Sequence, residues 1–345
     1  MSNSKTYNVA LVGATGAVGT QILGLLEERN FPIGKLKCLS SARSAGATLT
    51  FKGETVTIEE ATPESFEGVD IALFSAGGSV SKALANEAVK RGAVVIDNTS
   101  AYRMDPEVPL VVPEVNMDHA KEHKGIIANP NCSTIQMVVA LKPLLDEYGL
   151  DRIVVSTYQA VSGAGSRAID DLKNQTEAAL AGKEVKGEIL PVGSLPKKHP
   201  MAFNAIPQID VFEDNGFTAE EMKMINETKK IFGDDQIKVA ATCVRVPVLF
   251  GHSESVYIET KKPFEVEDVK ELLTNFEGIT VVDQPAEQAY PLATDAAGKK
   301  EVFVGRIRKD LSYSNGLHMW VVCDNLIKGA AWNAVQIAEN LVAEK

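Results

Sequence analysis

The stretch "YNVALVGATGAVGTQILGLLEER", residues 7–29, leaves the N-terminal part of this chain little choice of fold. An apolar run ends at Gly13, two further glycines follow at Gly16 and Gly19, and the apolar spacing then becomes helical. A buried strand, a tight turn and a helix in that order open a βαβ unit. The G-x-x-G-x-x-G form of Gly13-Ala14-Thr15-Gly16-Ala17-Val18-Gly19 lets backbone approach a pyrophosphate, whose charge the helix N-terminus can receive. Short apolar runs then recur in "LKCLSSARSAG", "VDIALFSAGG", "AVVIDNTSAYR" and "GIIANPN", with a helical "SVSKALANEAVKRG" between them. Strands alternating with helices imply a doubly wound α/β domain with a parallel sheet.

The second half has another texture. "RIVVSTYQAVSGAG", "IKVAATCVRVPVLFG", "SESVYIET", "VFVGRIRKD" and "LHMWVVCDN" are longer, rich in β-branched residues and separated by fewer helices. They predict an α+β domain on a mixed, largely antiparallel sheet, with one face under helices and the other left for a partner subunit. The terminal "KGAAWNAVQIAENLVAE" is amphipathic and is expected to return to the first domain. The expected division is therefore 1–131, joined by a C-terminal helix over 329–345, and 132–328.

Totals exclude several function classes. A net charge of −11 with no basic run argues against a nucleic-acid partner. No apolar stretch reaches the length of a membrane span, and the N-terminus lacks a signal-peptide pattern, so the expected compartment is the cytoplasm. Five histidines without H-E-x-x-H, and four cysteines without C-x-x-C, suggest neither a metal nor a disulfide framework.

The second strand bears on the cofactor. NAD sites commonly carry an acid there to hold the ribose hydroxyls. Here the strand runs into Ser40-Ser41-Ala42-Arg43-Ser44. Hydroxyls and a guanidinium suit a 2′-phosphate, which favours NADP; a solvated loop arginine is the other reading of Arg43.

Cys38, Cys243 and Cys323 lie inside strand-like runs and read as packing. Cys132 instead stands between "NPN" and the helical "STIQMVVALKPLLDEYG". At a helix N-terminus the dipole and the exposed N–H groups favour thiolate and could stabilise an oxyanion. A thiolate paired with a nicotinamide points to aldehyde oxidation through a thioester, or its reverse. An acid/base group is then needed, from among His119, His123, His199, His252 and His318. His252, at the bend between two strands, is the best placed, and an ordinary imidazole there would titrate at about 6.5.

"GATGAVG", "SSARSAG", "NPNCST", "YQAVSGAG", "EEMKMINETKKI", "CVRVPVLFGHSES" and "LHMWVVCDNLIKGAA" together resemble the aspartate-β-semialdehyde dehydrogenase family, in its order and over nearly the whole chain. The resemblance implies a Rossmann-type domain followed by an α+β catalytic and dimerisation domain. It implies NADPH-dependent reductive dephosphorylation of L-aspartyl-4-phosphate to L-aspartate 4-semialdehyde. That step serves lysine, diaminopimelate, threonine and methionine biosynthesis. By the same resemblance Cys132 carries the thioester, His252 is the acid/base and Gln159 orients substrate. Arg245 grips the α-carboxylate, Glu220 faces the α-ammonium, and Arg103 and Lys223 hold phosphate. The cofactor positions are Gly13, Thr15, Gly16, Ala17, Val18, Ser40, Arg43, Ser44, Ser162, Gly163 and Asn325. A homodimer or homotetramer is implied, with no metal. The rival readings are an N-acetyl-γ-glutamyl-phosphate reductase and a non-catalytic NADP-binding homologue.

Overall fold

A computed structural model describes residues 5–343. The chain divides into two compact units: residues up to Asn131 together with those from Ala330 onward, and Cys132–Gly329.

The first unit is built on β1 (Tyr7–Val12), α1 (Ala17–Glu28), β2 (Ile33–Ser40), β3 (Thr48–Phe51), β4 (Glu54–Glu60), β5 (Ile71–Phe74), α2 (Gly78–Lys90), β6 (Val94–Asp97), α3 (Pro113–Asn116) and β7 (Ile126–Ala128). Its seven-stranded sheet has the order β3-β4-β2-β1-β5-β6-β7, parallel throughout except for the β3–β4 hairpin. β5 is buried at every position, as a parallel strand covered on both faces must be. The last helix of the chain, Trp332–Ala343, packs on α1 and β6. Arg29 joins it through Glu339 at 2.8 Å, and the Arg29 guanidinium stacks 5.2 Å from the Trp332 ring centre. Asn333 donates to the carbonyl of Val111 and to Asn129 Oδ1, so the final helix also braces the Asn-Pro-Asn turn after β7.

The second unit holds α4 (Cys132–Tyr148), β8 (Leu150–Gln159), α5 (Ser166–Leu180), α6 (Ala219–Phe232), β9 (Lys238–Arg245), β10 (His252–Thr260), α7 (Val266–Thr274), β11 (Ile279–Val281), α8 (Ala293–Ala296), β12 (Val302–Lys309) and β13 (Gly316–Cys323). With these named, the terminal helix is α9. The sheet runs β11-β12-β13-β10-β8-β9 and is mixed, with parallel pairs at its two ends and antiparallel pairs between them. α4 lies against both α6 and α7, and all three pack on this sheet. Every residue of α4 from Ser133 to Leu141 is buried, which is why its sequence shows little amphipathic period. The other face of the sheet alternates outward and carries the ring pairs Tyr158–Trp320 and Tyr257–His318, at 5.5 and 4.8 Å.

α6 is fixed by its first turn. Thr218 accepts from the Glu221 N–H, and Glu221 Oε2 accepts from the Thr218 N–H at 2.7 Å, forming a capping box. The second oxygen of Glu221 accepts from the Cys243 N–H at 3.0 Å and so ties the helix to β9. Glu221→Ala removes a cap worth about 1 kcal/mol and orphans a buried amide worth about 1–3 kcal/mol. The expected loss of stability is about 2–4 kcal/mol, read as a lowered urea midpoint. A loss below about 0.5 kcal/mol, the range of an ordinary surface change, would show that the cap does not hold the helix.

Candidate active site

In the first unit a cleft of about 670 Å³ opens where β1, β2, β4 and β5 end, lined by Gly13, Thr15, Gly16, Ser40, Ser41 and Glu60 among others. Gly13 has φ +91°, and a Cβ there would meet the Ser75 backbone at 2.8 Å. Gly16 precedes α1 with no side-chain cap, so the helix N–H groups stay open to an anion. Thr15 Oγ1 lies 3.4 Å from Ser40 Oγ across the cleft mouth. Ala17 and Val18 begin α1, while Arg43 and Ser44 sit on a short 3-10 turn next to Ala42, which lines the cleft. An uncapped helix start, a glycine turn and a ring of hydroxyls fit a dinucleotide. Sequence reasoning missed Glu60: it lies at the end of β4, opposite Ser40 in register, and lines the cleft.

In the second unit the pairing registers create the site. Gln159 pairs with Arg245 across β8 and β9, and His252 pairs with Cys323 across β10 and β13. Ser253 pairs with Tyr158, so His252 continues the row of Gln159. Arg245, Gln159, His252 and Cys323 thus form one transverse row. The next row on that face is Cys243, Thr157, Glu254 and Val321. All are buried.

The hydrogen bonds fix each orientation. Gln159 Oε1 accepts from the Thr157 hydroxyl at 2.9 Å, and its NH₂ donates to Glu220 Oε1 at 3.2 Å. Arg245 Nη1 donates to the Ala160 carbonyl at 2.7 Å, while its buried Nε has no partner. Burial works against the Arg245 charge, and Glu220 favours it. Lys223 contacts Glu220 and Asp210 at 3.1 and 2.8 Å. Burial opposes the Lys223 charge, but the two carboxylates outweigh it and hold the ammonium above the usual lysine range.

His252 Nδ1 accepts from the Ala160 N–H at 3.0 Å. A neutral imidazole with Nδ1 accepting carries its proton on Nε2. Nε2 faces Gln159 at 3.4 Å, and a Cβ added at Gly163 would lie 3.3 Å from it. Burial, and then the Arg245 charge, push the His252 pKa down to about 3. The ordinary value near 6.5 therefore does not hold here. The corner before His252 depends on Gly251, with φ +89° and Ala293 O only 2.9 Å from where a Cβ would stand.

Ser162 and Asn325 meet at 3.0 Å, and Asn325 Oδ1 also accepts from the Gly251 N–H. Both side chains thereby brace the His252 corner. Arg103, in the first unit, donates from Nε to the Asn129 carbonyl and from Nη2 to that of Asn98, at 2.9 and 2.8 Å.

Cys132 is the first residue of α4 and is half-buried. It is near enough to Arg245 to act on its charge. Gly329 packs on it, since a Cβ there would stand 2.9 Å from that of Cys132; no sequence signal marked this glycine. Burial pushes the Cys38 thiol up to about 11 and raises those of Cys243 and Cys323 too, so these three remain thiols. Among the described residues no group of His, Cys, Asp and Glu is placed to hold a metal ion, and no helix is long and apolar enough to cross a membrane.

The chain is similar to known proteins over nearly its whole length. Residues 8–123 match the model of the semialdehyde dehydrogenase NAD binding domain, and residues 141–328 match that of the semialdehyde dehydrogenase dimerisation domain. Aspartate-semialdehyde dehydrogenase from Bacillus subtilis is 64% identical over 335 residues, 97% of each chain. The structure of aspartate semialdehyde dehydrogenase II from Vibrio cholerae complexed with ASA superposes with a TM-score of 0.93, at 50% identity and 99% coverage of each chain. The Candida albicans enzyme with NADP gives a TM-score of 0.73 at 27% identity, with 98% of each chain covered. The chain belongs to the aspartate-semialdehyde dehydrogenase family.

Proposed function

We propose that this protein reductively dephosphorylates L-aspartyl-4-phosphate to L-aspartate 4-semialdehyde, reversibly and with NADP, through a thioester on Cys132. The observation that carries the reading is the buried row of Arg245, Gln159 and His252, with Glu220 beside it and Cys132 opening the helix that covers it. A fixed cation and a fixed anion in one dry site suit a substrate with an α-carboxylate and an α-ammonium. An acylated amine would leave Glu220 without an ammonium to face, which weighs against the N-acetyl-γ-glutamyl rival.

The Cys132 sulfur adds to the acyl carbonyl, and the α4 N–H groups receive the developing oxyanion. Collapse expels phosphate and leaves the thioester. NADPH, held by the Gly13–Gly16 turn and the Ser40–Ser44 segment, would supply the hydride that reduces the thioester. His252 Nε2–H is the proton shared with the oxygen of the tetrahedral species, in either direction. Release of the Cys132 thiolate gives the aldehyde. Gln159, locked between Thr157 and Glu220, keeps the carbonyl aligned with the sulfur. Lys223 and Arg103 are assigned to phosphate, and Arg43 with Ser40 and Ser44 to the 2′-phosphate of NADP. The half-exposed face of the second sheet, with its Tyr158–Trp320 and Tyr257–His318 pairs, is offered to a second copy of the chain.

The direct test is NADP reduction with L-aspartate 4-semialdehyde. The rate should require phosphate, and Cys132→Ser should abolish it while leaving NADP binding in place. Activity only with the N-acetylglutamate analogue would replace this reading with its rival.

His252→Asn should lower kcat by about 10²–10⁴-fold with little change in KM. Because His252 stays neutral down to a pKa of about 3, wild type and variant should share one shape of pH–rate profile between pH 5 and 8. A limb near pH 6.5, present in wild type and absent in the variant, would refute the Nε2–H assignment.

Arg43→Ala should weaken NADP about ten- to a hundredfold, the worth of one charge-assisted contact, and leave NAD nearly unchanged. Equal losses for both cofactors, measured by fluorescence titration, would make Arg43 structural.

A further inference from the structure

Beneath the catalytic row lies a polar pair that the proposed reaction does not use. Glu254, on β10, and Gln136, on α4, are both fully buried. Neither carboxyl oxygen of Glu254 and neither polar atom of Gln136 meets hydrogen-bond geometry, with each other or with any other group. Gln136 is the side chain that Glu254 faces, the one polar group favouring its ionised form. The remaining titratable neighbours are the Cys243 and Cys323 thiols, which burial keeps neutral. Four orphan atoms in a dry interior are rarely left unmatched. A neutral carboxylic acid and a primary amide match each other completely: acid O–H to amide oxygen, amide N–H to acid carbonyl. Burial strongly favours that protonated form of Glu254.

The position of the pair gives it a function. Gln136 follows Cys132 by one helical turn, a rise of about 6 Å. Glu254 follows His252 by two strand residues, about 6.8 Å. α4 packs on β10 and β13; Cys132 lies near Arg245 and Cys323 in the first row of the sheet, and the buried Gln136 lies beside Glu254 in the second. α4 therefore descends alongside β10 in step with it. We infer that Gln136 and Glu254 form a neutral amide–acid rung that sets the register of α4 on β10, and through it the placement of Cys132 against His252. Both are positioning residues. The inference rests on the thioester reaction proposed above, but its first readout needs no substrate.

That readout is the pH dependence of iodoacetamide alkylation at Cys132 in the full-length enzyme, where the other three cysteines are buried. It is paired with kcat and KM. Glu254→Leu keeps the site filled and dry but removes the rung. It should shift the alkylation midpoint away from that of wild type and lower kcat about ten- to a hundredfold at constant KM, the cost of a misplaced reacting group. Glu254→Gln preserves an amide–amide pair and should retain more than a third of kcat with the wild-type midpoint. The exchange Gln136→Glu with Glu254→Gln swaps acid and amide and should recover most of what Glu254→Leu loses. Three outcomes would overturn the inference: wild-type midpoint and kcat in Glu254→Leu; a loss in Glu254→Gln as large as in Glu254→Leu, which would mean that the carboxyl itself reacts; or no recovery in the exchange. If Glu254→Leu does not fold, Glu254→Gln and the exchange still decide. If aspartate semialdehyde is not turned over at all, the functional reading fails while the alkylation comparison stands.

Discussion

The second unit is organised around charges withdrawn from water. Arg245 and Glu220 are 4% and 5% exposed, and each influences the other. Burying an ion costs several kcal/mol, and a buried pair repays this only with good geometry and further hydrogen bonds. Here the further bonds exist. Arg245 donates to the Ala160 carbonyl, and Glu220 accepts from Gln159 and pairs with Lys223. The arrangement is not built for stability, since apolar residues would pack there at less cost. On the proposed reading it is built for a zwitterionic substrate, whose two charges find partners already oriented and already dry.

The electrostatics of the histidine follow from the same withdrawal. A residue at position 252 in water would titrate within the physiological range. In the row beside Arg245 it stays neutral, and the backbone of Ala160 selects its tautomer. Ala160 thus serves two partners at once: its N–H holds His252 and its carbonyl holds Arg245. One residue, just past the end of β8, thereby fixes Arg245 and His252 relative to each other.

The first unit solves a different problem. Its glycine turn and uncapped helix offer backbone N–H groups to a phosphate-bearing cofactor, and serines, a threonine and Glu60 line the cleft around them. Its anchor lies far away in sequence. α9 closes on α1 and β6, and Asn333 holds Asn129, three residues before Cys132. The loop that delivers Cys132 is in this way steadied by the last helix of the chain.

Much of this was legible in the residues alone. The alternation of strand and helix after "GATGAVG" requires a parallel sheet, because parallel strands need a crossover. The longer β-branched runs after residue 150 require a different sheet. Cys132 stood out because it alone among the cysteines opens a helix. Other features were not legible, because they are set by register between strands far apart in sequence. Gln159, Arg245 and His252 share a row only because β8 lies between β9 and β10 in one particular pairing. Glu60 enters the cofactor cleft only because β4 lies beside β2. Glu254 and Gln136, 118 positions apart, carry no local pattern that marks them, and only the packing of α4 on β10 removes both from water. Local sequence determined which elements form and where a reactive thiol could stand. The tertiary structure decided which charges lose their solvent, since desolvation depends on neighbours that no local pattern records.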